Sequence, residues 1–352
     1  MQSVNLLMIK PVGNCCNLSC SYCYVINESD HAAQLSQMSV GTLEQTIKAT
    51  VPCRPTPIML WSGGEPLLAS IHFFEKVLTL QKKILSKTHV INSIQTNGTL
   101  LNDAWIKVFK EANFQIGISW DGFKSRLRRT ERNECTSIDV FEKIKQCRSA
   151  DLDIGVIMVI SQDNLCNIEN SLIGLYELGV RNVLLKPYNN KKTDGHSLMP
   201  EEYAQLMCRL LDLWLSVGDK DWKVEHLASF VRALRGERPT SCEFANSCHT
   251  FLTVQHNGDV TTCDFMGDST ALGNVSDNTI PEICEREAYI RFRDCASSIP
   301  SECYDCKWTS FCRGGCLHYR LPINSVDQCW GLHSLCEAQK QIFDYCSRRL
   351  SV

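Results

Sequence analysis

Three cysteines in the segment NCCNLSCSYCY, Cys16, Cys20 and Cys23, are spaced CxxxCxxC near the start of the chain. Thiolate is the usual protein ligand of iron in iron–sulfur clusters. Three thiolates on one short loop can hold three irons of a four-iron four-sulfur cluster and leave the fourth open. An open iron can chelate the amino and carboxylate groups of a small molecule and deliver an electron to it. Zinc is the alternative, but no fourth Cys or His follows at zinc-like spacing, and His31 is the nearest downstream.

A second array lies in the last third of the chain. Cys242, Cys248 and Cys263 occur in SCEFANSCHTFLTVQHNGDVTTC, where HNGD reads as a hairpin turn. Cys303, Cys306, Cys312 and Cys316 follow in CYDCKWTSFCRGGC, a spacing that suits a zinc ribbon and an iron–sulfur cluster equally. The chain holds 21 cysteines among 352 residues. An odd count in a chain too large to need disulfide staples leaves metal ligation, catalysis and burial as their uses. Cys53, Cys147, Cys166 and Cys208 stand alone in apolar or helical surroundings and read as small buried hydrophobes.

These residues must be positioned by the elements around them. Up to about residue 188, β-rich runs alternate with helical patterns, as consecutive βα units around a parallel sheet do. The strand candidates are 4–9, 57–61, 90–95, 115–119, 154–160 and 183–186. Ser39, Asn102 and Ser137 stand where helix N-caps belong. Six units are fewer than the eight of a closed barrel, so the expected fold is α/β, an open partial (β/α)6 barrel with its site at the C-terminal ends of the strands. The Cys loop follows the first strand. The turn SGGEP, residues 62–66, follows the second; its glycines permit close backbone approach, and Glu65 can accept from an ammonium group. After Tyr188 comes a polar loop, NNKKTDGHS, then helical stretches near 200–216 and 223–235, and beyond Pro239 a Cys-rich, loop-rich region. The expected organisation is a barrel over 1–188, a helical connection over 189–238 and a Cys-rich domain over 239–352.

The Cys loop after strand one and the GGEP turn after strand two together resemble the radical S-adenosylmethionine (SAM) superfamily. The resemblance implies that SAM binds the open iron and is cleaved reductively to a 5'-deoxyadenosyl radical that abstracts hydrogen from the substrate. The order of the tail, CxxxxxC, a nine-residue gap, Gly258, four residues, Cys263 and then the second array, resembles the SPASM extension with its two auxiliary four-iron clusters. It implies Cys242, Cys248, Cys263 and Cys316 on the first. Cys303, Cys306, Cys312 and a later cysteine would hold the second. Cys329 and Cys336 compete for that place, and CEAQKQIF, matching the helix-starting Cys of the family motif, selects Cys336. Three four-iron clusters and SAM are the implied cofactors.

SIQTNGTLLNDAWIKVFKEANFQIGISWDG and CDF followed by LGNV bring the resemblance nearest to anaerobic sulfatase-maturating enzymes and the related maturases of ribosomally made peptides (RiPPs). In the sulfatase maturases the Asp after the third auxiliary Cys is the general base, which maps onto Asp264. Similar mapping places Tyr22, Gly64, Ser119 and Arg132 around SAM, the Arg pairing with its carboxylate. The family usually continues the Asp-Gly after strand four with Pro and then His before the Arg. This chain reads DGFKSRLRRTERNEC, with Phe123 in place of Pro and no His, so its substrate surface differs or the run is a solvated charged face.

The expected activity is that of a radical SAM oxidoreductase, a peptide maturase that oxidises an unactivated C–H of a ribosomally made precursor to a cross-link or a dehydrogenated residue. The alternatives are a sulfatase maturase converting Ser or Cys to formylglycine and a small-molecule dehydrogenase. A zinc-dependent adaptor is the non-catalytic alternative. Partners would be a peptide or protein substrate and a one-electron reductant of flavodoxin or ferredoxin type. With 36 Lys+Arg against 39 Asp+Glu the net charge is -3, so nothing in the overall balance favours nucleic acid or an anionic membrane. The absence of a signal-like N-terminus or a long apolar run places the expected location in the cytoplasm.

Overall fold

The computed structural model describes residues 4–25, 36–130, 132–188, 195–266, 271–322 and 330–351. His31, Cys329 and the first part of the polar loop, 189–194, lie outside the described residues. All six expected strands are present: β1 (Leu6–Ile9), β2 (Ile58–Trp61), β3 (Asn92–Thr96), β4 (Gln115–Ser119), β5 (Ile154–Ile160) and β6 (Asn182–Pro187). Helices α1 (Val40–Ala49), α2 (Ser70–Ile84), α3 (Asp103–Glu111), α4 (Ser137–Ser149) and α5 (Ile168–Glu177) alternate with them. The two helices expected after the polar loop are α6 (Pro200–Val217) and α7 (Glu225–Leu234), with a short β7 (Lys223–Val224) between them.

The chain divides into two compact units, each assembled from separated stretches. The first comprises Met1–Ser119, Leu127–Ile154 and His249–Arg293. In it β1, β2, β3 and β4 pair in parallel in chain order. On the other side of β1 lies β8 (Phe251–Val254), also parallel, with Leu6 opposite Phe251. The HNGD turn then returns β9 (Asp259–Thr261) antiparallel to β8, followed by β10 (Gly273–Asn274). Gly258 in the turn has φ +93°, and a Cβ there would meet Asn274 Oδ1 at 3.0 Å. A strand from the Cys-rich tail therefore extends the sheet beside the Cys loop, which local periodicity does not reveal. Behind this sheet Trp61, Phe74, Trp105, Phe109 and Phe114 pack edge-to-face, stacked or tilted, with centroids 5.3 to 6.0 Å apart.

Local capping follows the sequence at two of three places. Ser39 Oγ accepts from Thr42 N at 3.0 Å, and Asn102 Oδ1 from Trp105 N at 3.1 Å. Ser137 instead is the first residue of α4, and Thr136 takes the cap position without a side-chain bond. Cys53 and Cys147 are buried as expected and Cys208 is half-buried, whereas Cys166 is exposed. It lies in the 3-10 turn before α5, none of whose residues is buried.

The second unit comprises Trp120–Arg126, Gly155–Cys248 and Asp294–Val352. Here β5, β6 and β7 pair in parallel, and β11 (Arg320–Pro322) pairs with β12 (Trp330–His333). The C-terminal helix Cys336–Leu350 packs on α6 and α7. Its Phe343 is fully buried among Phe230, Phe244 and Trp308, which anchors the helix that begins at Cys336.

Candidate active site and metal centres

Cys16, Cys20 and Cys23 are half-buried on the loop that leaves β1. Burial pushes the Cys16 thiol up to about 12, and the neighbouring Glu65, Cys20 and Cys23 add to the shift. The GGEP turn is bonded onto this loop. Gly64 N donates to Gly13 O at 3.0 Å and Glu65 N to Cys15 O at 2.8 Å. A Cβ on Gly64 would lie 1.9 Å from Cys15 O, so only glycine fits.

Glu65 is completely buried. Its Oε1 accepts from Leu67 N at 3.0 Å and Thr96 Oγ1 at 2.7 Å, and its Oε2 accepts from Asn97 N at 2.7 Å. Burial pushes the carboxyl up to about 7, against the pull of these donors. The structure thus gives both carboxylate oxygens to the protein, where they tie the turn after β2 to the end of β3.

Tyr22 is half-buried in the Cys loop, with the Arg128 guanidinium 5.4 Å from its ring centre. The segment carrying Arg128 backs the loop: Ser19 N donates to Arg129 O at 2.8 Å and Ser21 N to Leu127 O at 3.1 Å. Arg132 is exposed beyond it. Ser119, half-buried at the end of β4, accepts from Gln95 Nε2 at 2.8 Å.

Asp264 opens the 3-10 turn Asp264–Met266 that follows β9 and Cys263. Its Oδ1 accepts from Lys10 Nζ at 2.9 Å, with side-chain exposures of 3% for the lysine and 8% for the aspartate. The other oxygen, Oδ2, is buried and has no hydrogen-bond partner among the described residues. Beside it, Tyr24 stacks on Phe265 with ring centres 4.2 Å apart. Sequence reasoning missed Lys10, and the available signal was a lysine directly after an apolar β-run, in NLLMIK, where solvent exposure is not expected.

In the second unit the tail cysteines fall into two groups. Cys316 is half-buried, and desolvation pushes its thiol far up, with the charges of Glu243, Cys248 and Cys242 adding to the shift. Cys303, Cys306, Cys312 and Cys336 line a single cavity with Trp308, Gln339 and Phe343. Burial pushes Cys312 up to about 12 and raises Cys303 and Cys336 as well. Cys263 belongs to the first unit. Among the described residues no three His, Cys, Asp or Glu donors converge as a single metal ion requires. The fit to iron–sulfur clusters rests on the all-sulfur donor groups and, for Cys303, Cys306, Cys312 and Cys336, on the cavity they share. Buried thiols raised in this way become thiolates readily only beside a cation such as a metal.

Residues 11–172 match the radical SAM superfamily model and residues 242–307 the SPASM iron–sulfur cluster-binding domain. The chain is 29% identical over 363 residues to a cysteine-type anaerobic sulfatase-maturating enzyme of Clostridium perfringens, covering 98% of this chain and 96% of that one. It is 27% identical over 367 residues to a serine-type enzyme of Bacteroides thetaiotaomicron, covering 96% and 88%. The solved structure of native anSMEcpe with bound AdoMet superposes with a TM-score of 0.88 at 27% identity, covering 98% and 97%. Streptococcus suis SuiB with bound S-adenosylmethionine shares the fold, with a TM-score of 0.67 at 16% identity over 95% of this chain and 78% of that one. The cofactors are therefore four-iron four-sulfur clusters and SAM. The chain is a radical SAM enzyme with a SPASM iron–sulfur domain, homologous to the anaerobic sulfatase-maturating enzymes.

Proposed function

We propose that this enzyme oxidises a Cys or Ser side chain of a peptide substrate to an aldehyde, the reaction type of the sulfatase-maturating enzymes. The observation that carries this reading is similarity along the whole chain, through both domains, to proteins of that activity. When bound, SAM and the clusters supply a carbon radical that takes a hydrogen atom and an acceptor for the electron left behind. The protein's own residues do the rest.

Cys16, Cys20 and Cys23 would hold the cluster that binds SAM, with Tyr22, Gly64, Ser119 and an arginine of the basic segment around the SAM molecule. Cys242, Cys248, Cys263 and Cys316 would hold one auxiliary cluster, and Cys303, Cys306, Cys312 and Cys336 the other. Asp264 would accept the proton at Oδ2, the oxygen that Lys10 leaves free. For a serine, loss of one hydrogen atom from Cβ, one proton from the hydroxyl and one electron gives the aldehyde directly. For a cysteine the same losses give a thioaldehyde, which water converts to the aldehyde with release of hydrogen sulfide. The reductant would be of flavodoxin or ferredoxin type.

A cross-link in a ribosomally made precursor needs the same hydrogen abstraction and differs in the group that captures the oxidised carbon. Phe123 and the basic run after it, where the family has Pro and His, favour a substrate surface of its own. The test is incubation of the anaerobically reconstituted enzyme with peptides carrying one Cys or one Ser, followed by capture with a hydrazide reagent. A captured aldehyde at that residue is expected. SAM turnover on a precursor peptide that yields a cross-linked product, with no aldehyde from either peptide, overturns the reading.

A further inference from the structure

Arg320, at the start of β11, is 1% exposed, yet among the described residues no carboxylate pairs with it. Its donors go to backbone carbonyls. Nε donates to Gly314 O at 3.0 Å, Nη1 to Ser298 O at 2.9 Å, and Nη2 to Arg313 O at 3.0 Å and Gly315 O at 3.2 Å. Neutral carbonyls satisfy the hydrogen bonds of a guanidinium but not its charge, and burying an uncompensated cation is expensive. Some anion must therefore belong beside it.

The loop it holds shows which. Residues 313–315 connect Cys312, of the cavity shared with Cys303, Cys306 and Cys336, to Cys316, of the group with Cys242 and Cys248. The backbone wraps closely around the guanidinium: Gly314 and Gly315 have φ of +81° and +69°, and a Cβ on Gly314 would lie 2.8 Å from Arg320 Nη2. The sulfurs whose charge acts on Arg320 come from both groups, Cys248 and Cys316 from one and Cys303 and Cys312 from the other.

We propose that Arg320 is the shared counter-charge of the two auxiliary clusters, raising the reduction potential of both and so making them better acceptors of the electron taken from substrate. This rests on the ligand groups assigned above. Net charge around an iron–sulfur cluster is one of the levers by which a protein sets its potential. A positive charge favours the reduced, more negative state.

A second buried charge nearby has the opposite sign and serves as the control. Glu243, 4% exposed and next to Cys242, faces His226 Nε2 at 3.1 Å and His333 Nε2 at 3.3 Å and accepts from Gln339 Nε2 at 2.8 Å. His333 Nδ1 accepts from Leu335 N at 3.0 Å, which puts the ring proton of the neutral imidazole on Nε2, toward the carboxylate. Gln339 Oε1 also lies 3.0 Å from Cys312 Sγ, so this network touches a proposed ligand directly.

The experiment is an EPR-monitored redox titration of the reconstituted full chain carrying Arg320→Gln, Arg320→Lys or Glu243→Gln, with iron content measured for each. In Arg320→Gln both auxiliary midpoints are expected to move negative. In Arg320→Lys, which keeps the charge but loses most of the hydrogen bonds, they stay near wild type. In Glu243→Gln they move positive. The midpoint of the cluster on Cys16, Cys20 and Cys23 is expected to stay unchanged throughout.

An Arg320→Gln protein with full iron content and unchanged auxiliary midpoints overturns the inference. Should Arg320→Gln fail to retain iron, Arg320→Lys decides: unchanged midpoints support the charge role, and shifted ones overturn it. A wild-type tail that binds no iron is a different result, since it removes the ligand assignment itself.

Discussion

Lys10 and Asp264, 254 residues apart in sequence, form a buried ion pair with Nζ 2.9 Å from Oδ1. The pair joins the end of β1 to the turn after β9, one on each side of the β1–β8 pairing. It fixes one oxygen of the carboxylate and leaves the other buried without a protein partner.

Hydrogen abstraction and proton removal should therefore separate in Asp264→Asn. The amide nearly matches the carboxylate in shape, so the cluster loops and the SAM pocket remain. Formation of 5'-deoxyadenosine is expected to continue while product falls by ~10²–10⁴, the usual contribution of a general base. Liquid chromatography of both products in one reaction gives the ratio, and wild-type coupling in this variant would return Asp264 to a turn-capping role.

Lys10→Met removes one partner of the buried pair and leaves a carboxylate uncompensated. A stability loss of about 3–5 kcal/mol is expected, as for other broken buried pairs. The double variant Lys10→Met with Asp264→Asn should recover much of it. Urea unfolding of the four proteins measures this coupling, and additive losses would show that the two side chains act independently.

The Gly64→Ala variant places a methyl group where Cys15 O already lies. Displacement of the Cys loop is the expected result, with SAM cleavage lost and iron on the tail retained. Iron content is expected to fall from about twelve to about eight per chain, on the basis of four irons per cluster. Full iron and normal 5'-deoxyadenosine formation would mean that the turn and loop can move apart.

Cys336→Ser is expected to lose about four irons, because Cys336 lines the cavity with Cys303, Cys306 and Cys312. Cys329→Ser is expected to keep them. The reverse pattern would transfer the last ligand position to Cys329.

Arg128→Ala should weaken SAM binding and Arg132→Ala should not, since the half-buried Arg128 lies over Tyr22 and Arg132 is exposed. Isothermal titration with SAM under anaerobic conditions distinguishes them. Equal effects would place neither guanidinium at the SAM carboxylate.

By itself the sequence determined what depends on neighbours along the chain. Alternating apolar runs and helical periods yield all six strands of the βα units, because the two side-chain periodicities are local properties of the backbone. Ser39 and Asn102 announce their helices, and the HNGD turn announces its hairpin, for the same reason. The CxxxCxxC spacing likewise carries its chemistry within a few residues.

Only the tertiary structure decided what depends on which distant strand lies beside which. The parallel pairing of β8 with β1 brings a tail strand next to the strand that ends in Lys10, and from that register follows the meeting of Lys10 with Asp264. Glu65 reads from sequence as an acceptor for an ammonium group, and only the structure shows that it also accepts from three protein donors of the turn after β2 and the end of β3. The Arg of the basic segment that faces Tyr22, and the buried cation bonded to the loop between two cysteine groups, were decided in the same way. A charged side chain looks alike in sequence whether solvent or protein surrounds it, and only long-range packing determines which.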